Sequence, residues 1–177
     1  MFSKTKRYFL RKYIREHRVD RQRQVSSLKQ ARSVGILCEI TNEDSYKNIY
    51  ALFSKLQMES KTVRLVGYVN EKEVPFYCLP QLTCDFFSNK HLNWYGKPMM
   101  PQLLDFTKLD FDILIDFNYR DNAPVESLLA LTKSKFIIGQ NQGTSQYYDL
   151  FINDTNKDYA HFLEAIYKYT SKLSGNE

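Results

Sequence analysis

The pattern of apolar and polar positions along the chain predicts six short strands. Each of the six segments has four to eight residues and is rich in Val, Ile, Leu, Phe or Tyr, a pattern typical of strands. They are residues 33–40, 62–69, 82–87, 111–117, 136–139 and 147–153. The run SVGILCEI (33–40) and the run FDILIDF (111–117) are almost continuously apolar, as expected for strands that are covered on both faces of a sheet.

Apolar residues recur at helical spacing between these strands. Ile49, Leu52, Phe53 and Leu56 occupy positions i, i+3, i+4 and i+7, which predicts a helix over 41–57 with Thr41 or Asn42 as its N-cap. Three further helices are predicted, a short one within 97–106 and two longer ones over 123–135 and 156–173. Strands that alternate with helices predict a single Rossmann-like α/β domain over 33–177, with a mostly parallel, doubly wound sheet.

The first 32 residues have a different pattern and are interpreted as a basic helical extension. Residues 2–32 contain no Gly or Pro, and Phe9 with Tyr13 and Leu10 with Ile14 form i, i+4 pairs. Apolar positions thin out after Ile14, so a helix is predicted with an amphipathic first half and a solvated second half. A break is expected near Ser26–Ser27.

Charge is concentrated in this extension. Residues 1–32 carry eleven Lys or Arg and two acidic residues, a formal charge of +9, whereas the other 145 residues carry 14 basic and 18 acidic ones, a formal charge of −4. Aromatic residues interleave with the cations, which suits binding to phosphates with stacking of bases; they are Phe2, Tyr8, Phe9 and Tyr13. The candidate polyanion-binding residues are Lys4, Lys6, Arg7, Arg11, Lys12, Arg15, Arg18, Arg21 and Arg23.

Three interpretations of this basic segment remain open. It binds RNA or a ribonucleoprotein, it lies on an anionic membrane with its apolar residues in the interface, or it packs on its own domain with the charge merely solvated. The chain contains neither an apolar run of transmembrane length nor a secretory signal pattern, so a cytoplasmic location is expected.

Two polar loops follow predicted strands and suggest a ligand crevice, since such loops face the crevice of a doubly wound sheet. The candidate crevice residues are Asn118, Arg120, Asp121, Asn122, Gln140, Asn141 and Gln142. A purely structural interpretation also fits. Asp121 or Asn122 is placed to cap the next helix, whose first turn takes Pro124, and Arg120 is expected to pair with Asp121 or Asp116.

The stretch FDILIDFNYRDNAPVESLLALTKSKFIIG resembles part of the N-terminal lobe of the ADP-heptose lipopolysaccharide heptosyltransferases. The shared features are a strand from Asp112 to Asp116, Arg120 in a polar turn, a Leu/Ala-rich helix over 127–131, and Lys135 before a strand that ends at Gly139. The resemblance implies the fold of one lobe, and an enzyme or a nucleotide- or phosphosugar-binding domain derived from such a lobe is an alternative function. It does not imply the transferase activity, because those enzymes hold the sugar nucleotide largely in a second lobe, for which this chain has no room.

The overall layout, a basic helix followed by an α/β domain, is also similar to a family of small α/β proteins of Bacteroidota that contain a domain of unknown function. That resemblance implies no activity.

No motif in the sequence predicts a reaction. The glycine patterns G-x-G-x-x-G, G-x-x-x-x-G-K-[ST] and G-x-S-x-G are absent, and His17, His91 and His161 lie in unrelated segments. Cys78 and Cys84, with His91, match no zinc-binding spacing. No catalytic residue, cofactor or metal is therefore predicted, and a non-catalytic protein is favoured.

Overall fold

The computed structural model describes residues 3–173 and contains one six-stranded sheet. The strands are β1 Ser33–Glu39, β2 Thr62–Val69, β3 Cys84–Ser88, β4 Ile113–Asp116, β5 Ile137–Gly139 and β6 Leu150–Phe151. Their order is β3-β2-β1-β4-β5-β6, and all five pairings between them are parallel. The predicted doubly wound α/β class is confirmed. The order adds a switch point between β1 and β4, where the chain leaves one half of the sheet for the other.

Within residues 3–173, five α-helices cover the two faces of the sheet. They are α1 Lys4–His17, α2 Glu43–Met58, α3 Pro101–Lys108, α4 Ala123–Leu131 and α5 Tyr159–Leu173. Helices α2 and α5 pack with one face of the sheet, and α1, α3 and α4 pack with the other, so that the core has two layers. The expected caps are present: Asn42 accepts a hydrogen bond from the backbone N–H of Ser45 at 2.8 Å, and Asn122 accepts one from Val125 at 3.3 Å.

The N-terminal segment differs from the helix predicted over 2–32. Helix α1 ends at His17, and residues 18–27 cross the amino-terminal edge of the sheet without regular structure. The backbone N–H of Gln24 donates to Lys135 O at 3.1 Å, and that of Leu28 donates to Thr170 Oγ1 at 3.0 Å. These bonds to the domain replace the helical ones, because the segment after Ile14 has no apolar stripe with which a helix would dock.

Helix α1 is docked on the domain through its apolar stripe. Leu10 and Ile14 are buried in the same layer of core as Leu128 and Leu129 of α4. Leu28, further along, is buried in the opposite layer, so the chain wraps around the edge of the sheet before it enters β1. The cationic side of α1 therefore faces solvent, and the docked helix holds these cations in a fixed position.

Two predicted elements near the end of the sheet are shorter than expected. The helix predicted over 123–135 ends at Leu131, and the strand predicted over 147–153 is reduced to Leu150–Phe151 after a 3₁₀ turn at Gln142–Tyr147. The polar run GQNQGTSQ favours local side-chain hydrogen bonds, which support a turn rather than an extended strand.

Within residues 3–173, no helix has the length and apolar character needed to cross a bilayer.

Candidate functional site

The outer surface of α1 carries a depression of about 380 Å³, which we call the basic depression. Its lining residues are Lys4, Arg7, Tyr8, Arg11, Lys12 and Arg15, five cations and one aromatic ring. Arg7, Arg11 and Arg15 follow one another at i, i+4 and i+8, so they form a row with about 6 Å between successive members along the helix axis. Five of the nine sequence-predicted cations are therefore gathered on one exposed surface.

Among the described residues, four of the five cations in the basic depression form no ion pair, although Arg7 and Arg11 lie near enough to Glu126 to lower the pKa of its carboxyl. Lys12 pairs with Glu16 at 4.0 Å on the exposed side of the helix. In the part of the chain that the structure describes, no carboxylate lies within 4.0 Å of the charged nitrogens of Lys4, Arg7, Arg11 or Arg15, since none of these four residues takes part in an ion pair. Like charges at i, i+4 weaken a helix, and here the burial of its apolar stripe offsets that cost.

The start of α1 is electrostatically unfavourable for the free protein. Its first turn contains Lys4, Lys6 and Arg7 and no acidic residue. The N-terminus of a helix carries a partial positive charge, so cations there are disfavoured and anions are favoured. An anion bound at this end of the helix would relieve this conflict.

A second concave site, the switch-point crevice, lies at the carboxyl ends of the strands. It has a volume of about 670 Å³, and its wall includes residues from α1, from the ends of β1 and β2, from the turn after β3 and from the loop after β4. The charged residues of this wall, together with the N-cap of α4, are Lys6, Arg7, Arg11, Glu39, Arg120, Asp121, Asn122 and Glu126. The fold therefore brings part of the predicted polyanion set next to part of the predicted crevice set.

The switch-point crevice is less cationic than the basic depression, because its wall contains three carboxylates as well as four cations. Arg120 was expected to pair with Asp121 or Asp116, but it pairs with neither of them. Its Nε lies 3.5 Å from Glu39 Oε2, at the end of β1. The pKa of the Glu126 carboxyl is raised, because the effect of burial outweighs the hydrogen bond from Tyr147 and the nearby charge of Arg11.

Three of the predicted crevice residues are buried beneath the crevice instead of lining it; they are Asn118, Gln140 and Asn141. The Gln140 side chain donates to Phe117 O at 3.2 Å, and Asn141 Oδ1 accepts from Gly143 N at 3.0 Å. These amides hold the two loops in place. Gln142 is exposed in the 3₁₀ turn and does not line the crevice.

Asp116 is the acidic residue at the centre of this buried network. Its carboxylate accepts a hydrogen bond from Tyr148 Oη at 2.6 Å and another from the backbone N–H of Asn118 at 3.1 Å. The Tyr148 ring lies so close to Gly139 that a Cβ there would overlap it. Glycine at the end of β5 is therefore required for the ring to reach Asp116.

The ionisation of Asp116 predicts a measurable pH dependence of stability. Burial raises the pKa of its carboxyl from 3.8 to about 6, although Tyr148 and Asn118 donate to it. The native state then favours the protonated form, so this contribution to stability is complete below about pH 4 and is lost as the pH rises through 6. The difference between 3.8 and about 6 corresponds to about 3 kcal/mol.

We expect urea unfolding between pH 4 and 7 to show this loss in the wild type, and Asp116→Asn to remove it. Pairs of wild-type and Asp116→Asn curves at each pH isolate Asp116 from the other carboxyls that titrate in the same range. Parallel pH profiles of the two proteins would contradict the assignment.

The remaining predicted cations have separate surroundings. Arg18 stacks over the Tyr147 ring, 5.9 Å from its centroid. The Arg21 guanidinium forms two hydrogen bonds with the Asp149 carboxylate, at 2.9 and 3.0 Å, and donates to Ser134 O. Arg23 is exposed, with its Nε 3.5 Å from the same carboxylate. Arg21 is therefore a structural residue rather than part of the exposed basic surface.

Two functional candidates, Trp94 and Tyr95, were missed by sequence reasoning. They lie at the tip of a hairpin over 92–98 that brings them against Phe9 of α1. The sequence NWYG (93–96) does indicate the turn of this hairpin, since Asn at the first and Gly at the fourth position are typical of a type I turn. Phe2, which the sequence grouped with Tyr8, Phe9 and Tyr13, lies outside the described residues.

The sheet order and the crevice at its switch point define a Rossmann-like α/β protein with a cationic helix docked beside the crevice. The model of DUF6913, a family of unknown function, matches residues 6–173, so the chain belongs to this family. The matched region includes most of α1 together with the α/β domain. No curated protein and no solved structure matches the chain. The resemblances to heptosyltransferases and to a family of Bacteroidota stay predictions.

Proposed function

We propose that this protein is a non-catalytic binding protein for a polyanion, RNA or a ribonucleoprotein, and that α1 forms its binding surface. The observation that carries the proposal is the basic depression, where five cations surround one aromatic ring and, within residues 3–173, only Lys12 forms an ion pair. Lysine and arginine that neutralise phosphates release condensed counterions, which is the main source of affinity for nucleic acids.

Docking of α1 makes this surface suitable for binding. Because Leu10 and Ile14 are buried on the domain, the helix and its cations are ordered before the ligand arrives. Less conformational entropy is then lost on binding than with a disordered basic tail.

The distribution of charge over the whole molecule also favours binding of the polyanion at α1. Residues 33–177 carry a formal charge of −4, whereas residues 1–32 carry +9. Such an asymmetry steers an anionic polymer towards α1 and away from the other surfaces.

We place the protein in the cytoplasm within this proposal. Cys38, Cys78 and Cys84 are buried free thiols, a state that suits a reducing compartment.

The direct test is a titration of a fluorescently labelled, single-stranded RNA 20-mer, followed by anisotropy in low and moderate salt. We expect binding at low salt that weakens steeply as salt is added. Absence of binding at low salt would overturn the proposal. Binding to anionic vesicles without binding to RNA would do so as well, in favour of a membrane-associated protein.

A second candidate function is favoured by the position of the switch-point crevice. Ligands of doubly wound sheets bind at such switch points, and Arg120 stands there beside the N-terminus of α4, where Asn122 is the N-cap. This geometry suits the phosphate of a nucleotide or phosphosugar, as expected for a domain derived from a glycosyltransferase lobe.

Under this second candidate, a nucleotide or nucleotide-sugar raises the melting temperature of the protein, and Arg120→Ala abolishes the rise. Lys133→Ala is the matched control, because Lys133 is exposed and lies outside the crevice. A flat response of the wild type across a panel of nucleotides and nucleotide-sugars would exclude this function.

A further inference from the structure

An exposed aromatic cluster lies beside the basic depression. It consists of Tyr8 and Phe9 of α1 and of Trp94 of the 92–98 hairpin, and it contacts Tyr95 of the same hairpin, which is half-buried against the core. The Phe9 and Trp94 rings meet at a centroid distance of 4.9 Å, Trp94 and Tyr95 at 5.2 Å, and Tyr8 and Phe9 at 5.5 Å, with interplanar angles of 65° to 84°. Tyr8, Phe9 and Trp94 are nevertheless 61%, 39% and 58% exposed. Large aromatic residues are usually covered, so a preassembled exposed group of them indicates a binding surface.

The hairpin holds Trp94 in a fixed position. Asn93 Oδ1 accepts hydrogen bonds from the backbone N–H groups of Tyr95 at 3.1 Å and Lys97 at 2.9 Å. Gly96 has φ of 91°, a value that closes the turn and that other residues rarely adopt. The ring is therefore presented to solvent by an ordered turn, and little entropy is lost when a ligand stacks on it.

Cations surround the aromatic cluster. Tyr8 is itself one of the residues that line the basic depression. Phe9 lies one helical turn from both Lys6 and Lys12, and Lys97 Nζ lies 4.1 Å from the centroid of the Tyr13 ring. Exposed rings interleaved with cations match the chemistry of a nucleic acid strand, whose phosphates are charged and whose bases have flat faces.

We propose that the aromatic cluster stacks unpaired bases, and that the preferred ligand is therefore single-stranded nucleic acid. This inference rests on the proposed polyanion-binding function and specifies its ligand. A duplex is excluded as the preferred ligand because its base faces are covered by neighbouring base pairs, which leaves Phe9 and Trp94 nothing to stack on.

The packing of α1 argues against a membrane as the ligand. An interfacial helix inserts its apolar face between lipids. In this protein that face, Leu10 and Ile14, is buried against α4 and is not available for insertion.

The test uses Trp94, the only tryptophan in the chain, as its own reporter. A single-stranded RNA 20-mer is expected to quench Trp94 fluorescence, and the duplex of the same sequence is expected to bind at least about tenfold more weakly. Trp94→Ala is expected to weaken single-strand binding by about tenfold or more, and Trp94→Phe to retain most of it. Phe76→Ala is the matched control, because Phe76 is 88% exposed on a different loop, and it is expected to leave affinity unchanged.

The outcomes separate this inference from the function on which it rests. If single-stranded RNA binds without quenching Trp94 and Trp94→Ala binds equally well, base stacking is wrong and polyanion binding stands. Equal affinity for single strand and duplex would also overturn the inference. If no nucleic acid binds, both proposals fail. If anionic vesicles shift Trp94 emission to the blue while RNA leaves it unchanged, the cluster is a membrane contact.

Discussion

Replacing Arg21 by alanine is expected to lower the free energy of unfolding by about 3–5 kcal/mol, because the substitution strands the Asp149 carboxylate without its main partner. The side chains of Arg21 and Asp149 are each 9% exposed, and the guanidinium binds both carboxylate oxygens. The pair also fastens the segment after α1 to the edge of the sheet next to β5 and β6. Urea unfolding of the wild type and of Arg21→Ala measures the loss.

Arg23→Ala is the matched control for this prediction. Arg23 faces the same carboxylate at 3.5 Å, but its side chain is 63% exposed, so its removal is expected to cost less than about 1 kcal/mol. Equal losses in the free energy of unfolding from the two substitutions would contradict the prediction, because burial would then not determine how much each arginine contributes to stability. Under conditions where Arg21→Ala remains folded, its affinity for RNA is expected to equal that of the wild type.

Replacing Arg7, Arg11 and Arg15 together by glutamine is expected to weaken binding of single-stranded RNA by about a hundredfold, since each lost charge-assisted contact contributes about 1 kcal/mol. Glutamine keeps most of the aliphatic stem and forms helices about as well as arginine does. The three cations are exposed and repel one another, so stability is not expected to fall. Anisotropy titration with the labelled 20-mer measures the change, and circular dichroism checks that α1 is retained.

A second triple variant, in which Lys133, Lys168 and Lys172 are replaced in the same way, controls for net charge. Lys168 and Lys172 lie on α5, across the sheet from α1, and all three residues are exposed and outside the basic depression. Charges beyond a Debye length are screened, so this variant is expected to bind within about twofold of the wild type at physiological salt. Equal losses in the two triple variants would mean that RNA responds to total charge and not to α1.

Hydrophobic periodicity was enough to predict most of the secondary structure and the fold class. The spacing of Ile49, Leu52, Phe53 and Leu56 predicted α2, and all four residues are buried on its inner face. The strand order was not predictable, because pairings such as β1 with β4 join residues about 80 positions apart and leave no local pattern. The end of α1 at His17 was missed for a related reason: hydrogen bonds to Lys135 and Thr170 replace the helical ones.

The candidate site was predictable only where charge alone identifies it. The cations of α1 are visible in the composition, but the separate role of Arg21 depends on Asp149, which lies 128 positions away. Asn118 was assigned to a crevice wall because its loop is polar, whereas it turns inward to Asp116. Trp94 could not be placed beside Phe9, because their contact depends on how the hairpin and α1 pack on the same face of the sheet.

The salt dependence of single-stranded RNA binding tests the central claim most directly. The logarithm of the association constant is expected to fall linearly with the logarithm of salt concentration, by about 0.7 for each phosphate neutralised, so the five cations of the basic depression predict a slope of about −3.5. In the Arg7, Arg11 and Arg15 triple variant the slope is expected to become shallower by about 2. A wild-type slope near zero, or a triple variant with the wild-type slope, would contradict binding through α1.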